Sequence, residues 1–132
     1  MSAVSERREI RVPELGMPIS HYTDAVALGN VLYISGVVGH NPSEGTISDD
    51  VVEQTRQLFT NMRKVLDAAG ATPADVVKVT VYLLDMNDRT AINPLRAEFF
   101  GDHRPASTIV QVSQLALPQI KIEIEAVAGL PA

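Results

Sequence analysis

Two glutamates near the C-terminus are the first residues whose type and spacing suggest chemistry. In Ile120-Lys-Ile-Glu-Ile-Glu-Ala-Val127 apolar and polar residues alternate, the period of a strand with one buried face. Ile120, Ile122, Ile124 and Ala126 then point one way, and Lys121, Glu123 and Glu125 the other. Glu123 and Glu125 stand roughly 6.5–7 Å apart along such a strand. A carboxyl pair of this kind suits acid–base work, and a solvated strand face produces the same pattern. In Arg104-Pro-Ala-Ser-Thr108 the proline holds the chain extended as a strand begins, and a simple strand start explains it. Tyr22, at the start of another strand, reads as a packing residue. His21, His40 and His103 form no pair at metal-ligand spacing and fall in expected loops or strand ends. Surface or capping roles follow for them, with no metal and no cofactor expected. Ser35-Gly36 precedes valines rather than a helix, so it is no nucleophile elbow. The glycines at 36, 39 and 45 make no phosphate loop ahead of a helix.

The elements that must carry these residues are legible from periodicity. Strands are expected over Glu9–Val12, Thr23–Leu28 and Val31–Val38, the last two joined at Gly29-Asn30, a dipeptide suited to a tight hairpin. Asn41 to Gly45 is rich in turn-formers and reads as a loop. A long helix is expected from Val51, with Asp50 as its N-cap and Glu53 completing a variant capping box. Its apolar positions recur mostly at spacings of three and four, with one longer gap spanned by Thr55, and Gly70 stops it. Val76 to Leu84 reads as a central strand, with Val77, Val79, Val81 and Leu83 on one face and Lys78, Thr80 and Tyr82 on the other. A second helix is expected to begin at Asn93 as N-cap, with Pro94 at the first helical position, Leu95, Phe99 and Phe100 inward, and an end at Gly101. Strands over Ser107–Ser113 and Ile120–Val127 close the chain. The order βββαβαββ is an α+β pattern with both helices on one face of the sheet. Val31 to Val38 is nevertheless apolar on both faces and wants cover on both, so the open face is expected to be closed by other subunits.

A chain of 132 residues fits one domain over 1–132, with residues 1–7 a loose lead-in. A balance of 11 Lys and Arg against 16 Asp and Glu argues against a nucleic-acid partner, whose phosphates require a basic surface. There is no cysteine, which removes disulfides, thiolate metal sites and Cys nucleophiles. No apolar run approaches the ~20 residues of a membrane span, and the polar first residues do not resemble a secretory signal. A soluble cytoplasmic protein without membrane contact is expected.

From about Met17 to Ala128 the sequence resembles the RidA/YjgF family of small imine deaminases. The resemblance rests on Tyr22, Ile34-Ser-Gly36, and the helix from Val51-Val-Glu-Gln-Thr-Arg-Gln to Leu66-Asp-Ala-Ala-Gly70. It continues through Asp75 to Tyr82, Asp85-Met-Asn-Asp88, Asn93, Phe99-Phe100, Pro105-Ala106 and Lys121-Ile-Glu-Ile-Glu-Ala126. It implies a chorismate-mutase-like fold with a mixed six-stranded sheet, and a homotrimer with ligand clefts between subunits. By resemblance Glu123 is the catalytic group that helps water attack an imine carbon, while Tyr22, Ser35, Gly36 and Asn93 complete the pocket. The family's carboxylate-gripping arginine after Pro-Ala is replaced by Ser107. Arg96, one helical turn after Asn93, and Arg104 are the cations near enough in sequence to take its place, although a surface arginine is the simpler reading of either. Two functions follow as expectations. One is hydrolytic deamination of a small imine or enamine carboxylate, with an atypical carboxylate site at Ser107. The other is a trimer that binds such a metabolite without turning it over. Ribonuclease activity, attached to some family members, is not expected from an acidic chain with no histidine pair.

Overall fold

The computed structural model describes residues 6–131, and residues 1–5 of the expected lead-in lie outside them. Six strands form one mixed sheet: β1 (Arg7–Ile10), β2 (Ala25–Leu28), β3 (Val31–Val38), β6 (Val76–Leu83), β7 (Ala106–Gln111) and β8 (Ile122–Gly129). Their spatial order is β1-β2-β3-β8-β6-β7, antiparallel throughout except where β7 runs parallel to β6. Two short strands, β4 (His40–Asn41) and β5 (Thr46–Ile47), flank the expected loop as a separate ribbon. The long helix α1 (Val51–Ala69) and the shorter α2 (Arg89–Phe100) complete the α+β fold.

Both helices cover the same face. Leu58, Met62, Val65 and Leu66 of α1 are buried against Leu32, Val79, Val81, Ile122 and Ile124 of the sheet. Phe59 stacks on Phe99 at 4.5 Å between ring centroids and meets Phe100 edge-on at 5.8 Å, which fixes α2 against α1. α1 packs so closely on the link between β3 and β4 that a Cβ added at Gly39 would lie 2.1 Å from the carbonyl oxygen of Gln54. The other face leaves Tyr33, Val77 and Val110 exposed, the open side expected from β3.

Several boundaries differ from expectation for local reasons. Asp50 caps α1 by accepting from Val52 N at 3.2 Å, but no capping box forms with Glu53. The Asp50 N–H is already taken by Ser48 Oγ, and Glu53 lies 3.5 Å from Arg56 instead. Helix α2 begins at Arg89, not at Asn93. The preceding turn Met86–Asp88 is capped by Asp85, which accepts from Asn87 N at 2.9 Å, so the chain is already coiling when it reaches Arg89. Asn93 is therefore an exposed residue of the second turn, and Pro94 lies inside the helix, where it forfeits one helical hydrogen bond. Val77 does not share the buried face: the register with β8 slips between Val76 and Lys78, so Val76 points inward and Val77 is 57% exposed. Arg7 already pairs with Leu28, so β1 starts before the expected Glu9 and shortens the lead-in. The last strand starts at Ile122 and runs to Gly129, because the chain reaches its ladder only after Ile120.

Candidate active site

The site is built where β3 breaks its alternation. Ile34 pairs with Ala126 and Val37 with Ile124, so Ser35 and Gly36 together oppose the single residue Glu125. This bulge reverses the in–out parity: Leu32 and Ile34 point to the core before it, and Val37 does so after it. Ser35 anchors the bulge through its N–H to Asp24 O at 3.1 Å and its hydroxyl to Thr23 O at 2.6 Å. Gly36 leaves room that no other residue would. A Cβ there would stand 1.8 Å from Oε2 of Glu123, so the carboxyl lies directly against the glycine backbone.

Glu123 is half-buried, and its carboxyl is pushed above the ordinary value, first by burial and then by the charge of Glu125. Tyr82 lies opposite Glu123 in the ladder, and burial followed by Glu125 raises its phenol, which holds it in the protonated form. A carboxyl held protonated further toward neutral pH can both accept and return a proton, the requirement for general acid–base work.

Beside Glu123 opens a cavity of about 620 Å³, lined also by Tyr22, Ser35, Gly36, the segment Leu15 to Ser20, Val38, Ile47, Asn61 and Leu117. Its walls depend on polar side chains that local patterns did not single out. Asp24 pairs with Arg11 and accepts from Val12 N at 2.8 Å, tying down the chain that enters the 15–20 segment. Asn61 donates to the carbonyls of Val38 at 3.0 Å and His40 at 2.9 Å. Gln54 donates to Ser48 O and Gln119 O and accepts from Lys121 N at 2.9 Å, which holds the start of the Glu123 strand. The available signal was the presence of Gln54 and Asn61 on the same helical stripe as Leu58 and Val65, where polar residues must be internally bonded. His40, expected at the surface, is partly buried and bonds the Leu15 carbonyl through Nε2 at 3.2 Å.

Tyr22, Ser35, Gly36 and Glu123 are thus brought together, while Asn93, Arg96 and Ser107 are not. Ser107 pairs with Val79, whose side chain points under the helices, whereas Glu123 pairs with Tyr82 on the opposite face. Ser107 accepts a hydrogen bond from the Arg96 guanidinium at 2.7 Å. Arg96 is half-buried, burial pulls its pKa down, and no carboxylate pairs with it among the described residues. Arg104 is exposed. Among the described residues no group of three or more His, Cys, Asp or Glu gathers as a metal site, and no helix is long and apolar enough to cross a membrane.

The pattern of the family described as Endoribonuclease L-PSP matches residues 14–130. The chain belongs to that family. RidA/YjgF relatives include a RutC family protein of Pyrococcus horikoshii, 46% identical over 112 residues that cover 84% of this chain and 88% of the relative. The 2-iminobutanoate/2-iminopropanoate deaminase of Escherichia coli K12 is 39% identical over 113 residues, covering 83% and 88%. The crystal structure of the YjgF gene product of E. coli superposes with a TM-score of 0.86 at 36% identity, covering 92% of this chain and 98% of that one. A RidA/YjgF chain accordingly accounts for the six-stranded mixed sheet and its two helices.

Proposed function

We propose that this protein hydrolyses a small imine or enamine carboxylate and releases ammonia, with Glu123 as the acid–base group. The observation that carries the reading is the half-buried Glu123 carboxyl, set against Gly36 in the lining of a cavity. In the reaction Glu123 takes a proton from water as the water oxygen bonds to the imine carbon and returns it to the nitrogen, giving the carbinolamine. Glu123 then passes the hydroxyl proton to the nitrogen as the C–N bond breaks, and a 2-oxo acid and ammonia leave. The deaminase relative supports the substrate class by its name. The family description names an endoribonuclease, but the acidic chain and the paired Glu123 and Glu125 weigh against an RNA substrate.

The carboxylate of the substrate is assigned to Arg96 together with Ser107. A half-buried guanidinium that spends one donor on a hydroxyl retains others for an anion. Because Ser107 and Glu123 occupy opposite faces of one sheet, a single copy does not aim both at one ligand. A neighbouring copy that lays its β7 edge and Asn93 against the open face completes the site, in a homotrimer with intersubunit clefts. Light scattering is then expected to give about three times the 14.3 kDa chain mass, and a value near one chain mass removes this assembly.

Ammonia release from 2-iminobutanoate generated in situ tests the activity. Release by the native protein supports the deaminase, and silence with retained binding of the 2-oxo acid moves the reading to a binding protein. Arg96→Ala is expected to raise KM by about 10- to 100-fold, the worth of a lost hydrogen bond to a charged group. Arg104→Ala is expected to leave KM unchanged. An unaltered KM in the Arg96 variant would take the carboxylate away from it.

A further inference from the structure

We infer that the substrate of this site carries a large apolar side chain, housed in the cavity beside Glu123. The inference rests on the imine-carboxylate reading and adds the part of the substrate that the reacting atoms do not define. In one copy the cleft beside Glu123 measures about 620 Å³ and is open along the rim that a neighbouring copy covers, so its buried inner part is the room left for the side chain of a substrate.

The depth of the cavity separates it from a surface awaiting a neighbouring subunit. Its rim includes Met17 and Ile19, 84% and 71% exposed, which another copy can cover. Its floor is Val65 and Ile120, 1% and 2% exposed and part of the molecule's own interior.

The chemistry of the lining selects an apolar occupant. Both amide hydrogens of Asn61 are spent on backbone carbonyls, and its oxygen accepts from Gln57 at 2.9 Å. Asp24 is held by Arg11 and Val12 N, and His40 bonds Leu15 O. A polar substituent entering beside Asn61 would lose its water and find that amide already engaged, whereas an aliphatic or aromatic one gains by burial against Val65 and Ile120. The side chains favoured are branched aliphatic groups of four carbons or more and phenyl rings.

Calorimetric titration with stable 2-oxo acids tests this without turnover. Each added buried methylene is worth about fourfold in affinity. 4-Methyl-2-oxopentanoate is therefore expected to bind about tenfold or more tighter than 2-oxobutanoate. Equal affinities, the reverse order or no binding of either overturns the inference. Ile47→Trp, which fills the cavity from its β5 wall, is expected to collapse the preference. A folded variant that keeps it would place the preference elsewhere and overturn the inference, and Ile47→Phe replaces the tryptophan variant if thermal melting shows misfolding. Ammonia release from the matching imines separates the two readings. A binding preference with no turnover of any imine removes the deaminase alone, and turnover with no binding preference removes the apolar side chain alone.

Discussion

Replacing Glu123 by glutamine is expected to lower kcat for ammonia release by about 10²- to 10⁴-fold, the range of a general acid–base contribution. The amide keeps the size of the carboxyl and its place against Gly36 but can neither take nor return the proton. The pH dependence makes the assignment specific. With the carboxylate as base, kcat/KM falls as pH drops through the Glu123 pKa, at a pH above the range of ordinary carboxylates. Glu125→Gln removes the smaller cause of that elevation, so the acid limb moves to lower pH while burial keeps it above the ordinary range. Stability takes the opposite sign from activity. The folded pKa is raised, so between the ordinary and the raised value the native state binds more protons than the unfolded chain, and stability falls as pH rises through that window. Glu123→Gln removes that fall, and the variant is expected to be inactive yet at least as stable at neutral pH. An active variant, or an acid limb unmoved by Glu125→Gln, takes Glu123 out of the mechanism.

Gly39→Ala carries the largest expected cost to the fold. The added methyl would meet Gln54 O at 2.1 Å and Gln54 C and Cα at 2.7 Å, all backbone atoms of α1 that have no rotamer to turn away. The helix must lift from the link between β3 and β4, and overpacking of this kind costs about 3 kcal/mol. For a chain of this length that lowers Tm by about 10 °C. The displaced residue is also the one that holds Lys121 N and Gln119 O, so the push reaches the strand bearing Glu123 and activity falls with stability. A melting temperature within about 2 °C of the native protein would show that the helix accommodates the methyl. At Gly36 the atom in the way is the end of a side chain, so a methyl there displaces the carboxyl rather than the fold.

Much of the architecture was readable because it rests on local periodicity and caps. The alternation Ile120 to Ala126 does separate a buried row from Glu123 and Glu125, and Asp50 and Gly70 do bound α1. The Gly29-Asn30 turn joins β2 to β3, with Leu28 opposite Val31 and Gly29 at φ 62°. Where a second signal competed, the reading slipped. Asn93-Pro94 has the composition of a helix start, but Asp85 had already begun the coil, and tertiary packing of the buried Ile92 favoured helix upstream of the proline. Val77 followed the strand period until a bulge, which no single residue type announces, turned it outward.

What the sequence by itself determined is the α+β order, the open sheet face and the carboxyl pair on one side of the last strand, all consequences of period and chain order. Only the tertiary structure decided which atoms meet. The bulge that seats Glu123 on Gly36, the Gln54 and Asn61 bonds that line up the cavity wall, and the Arg96–Ser107 contact each join residues of different elements. Such contacts arise from the register of strands and the approach of a helix, quantities that the neighbours of a residue in sequence do not encode.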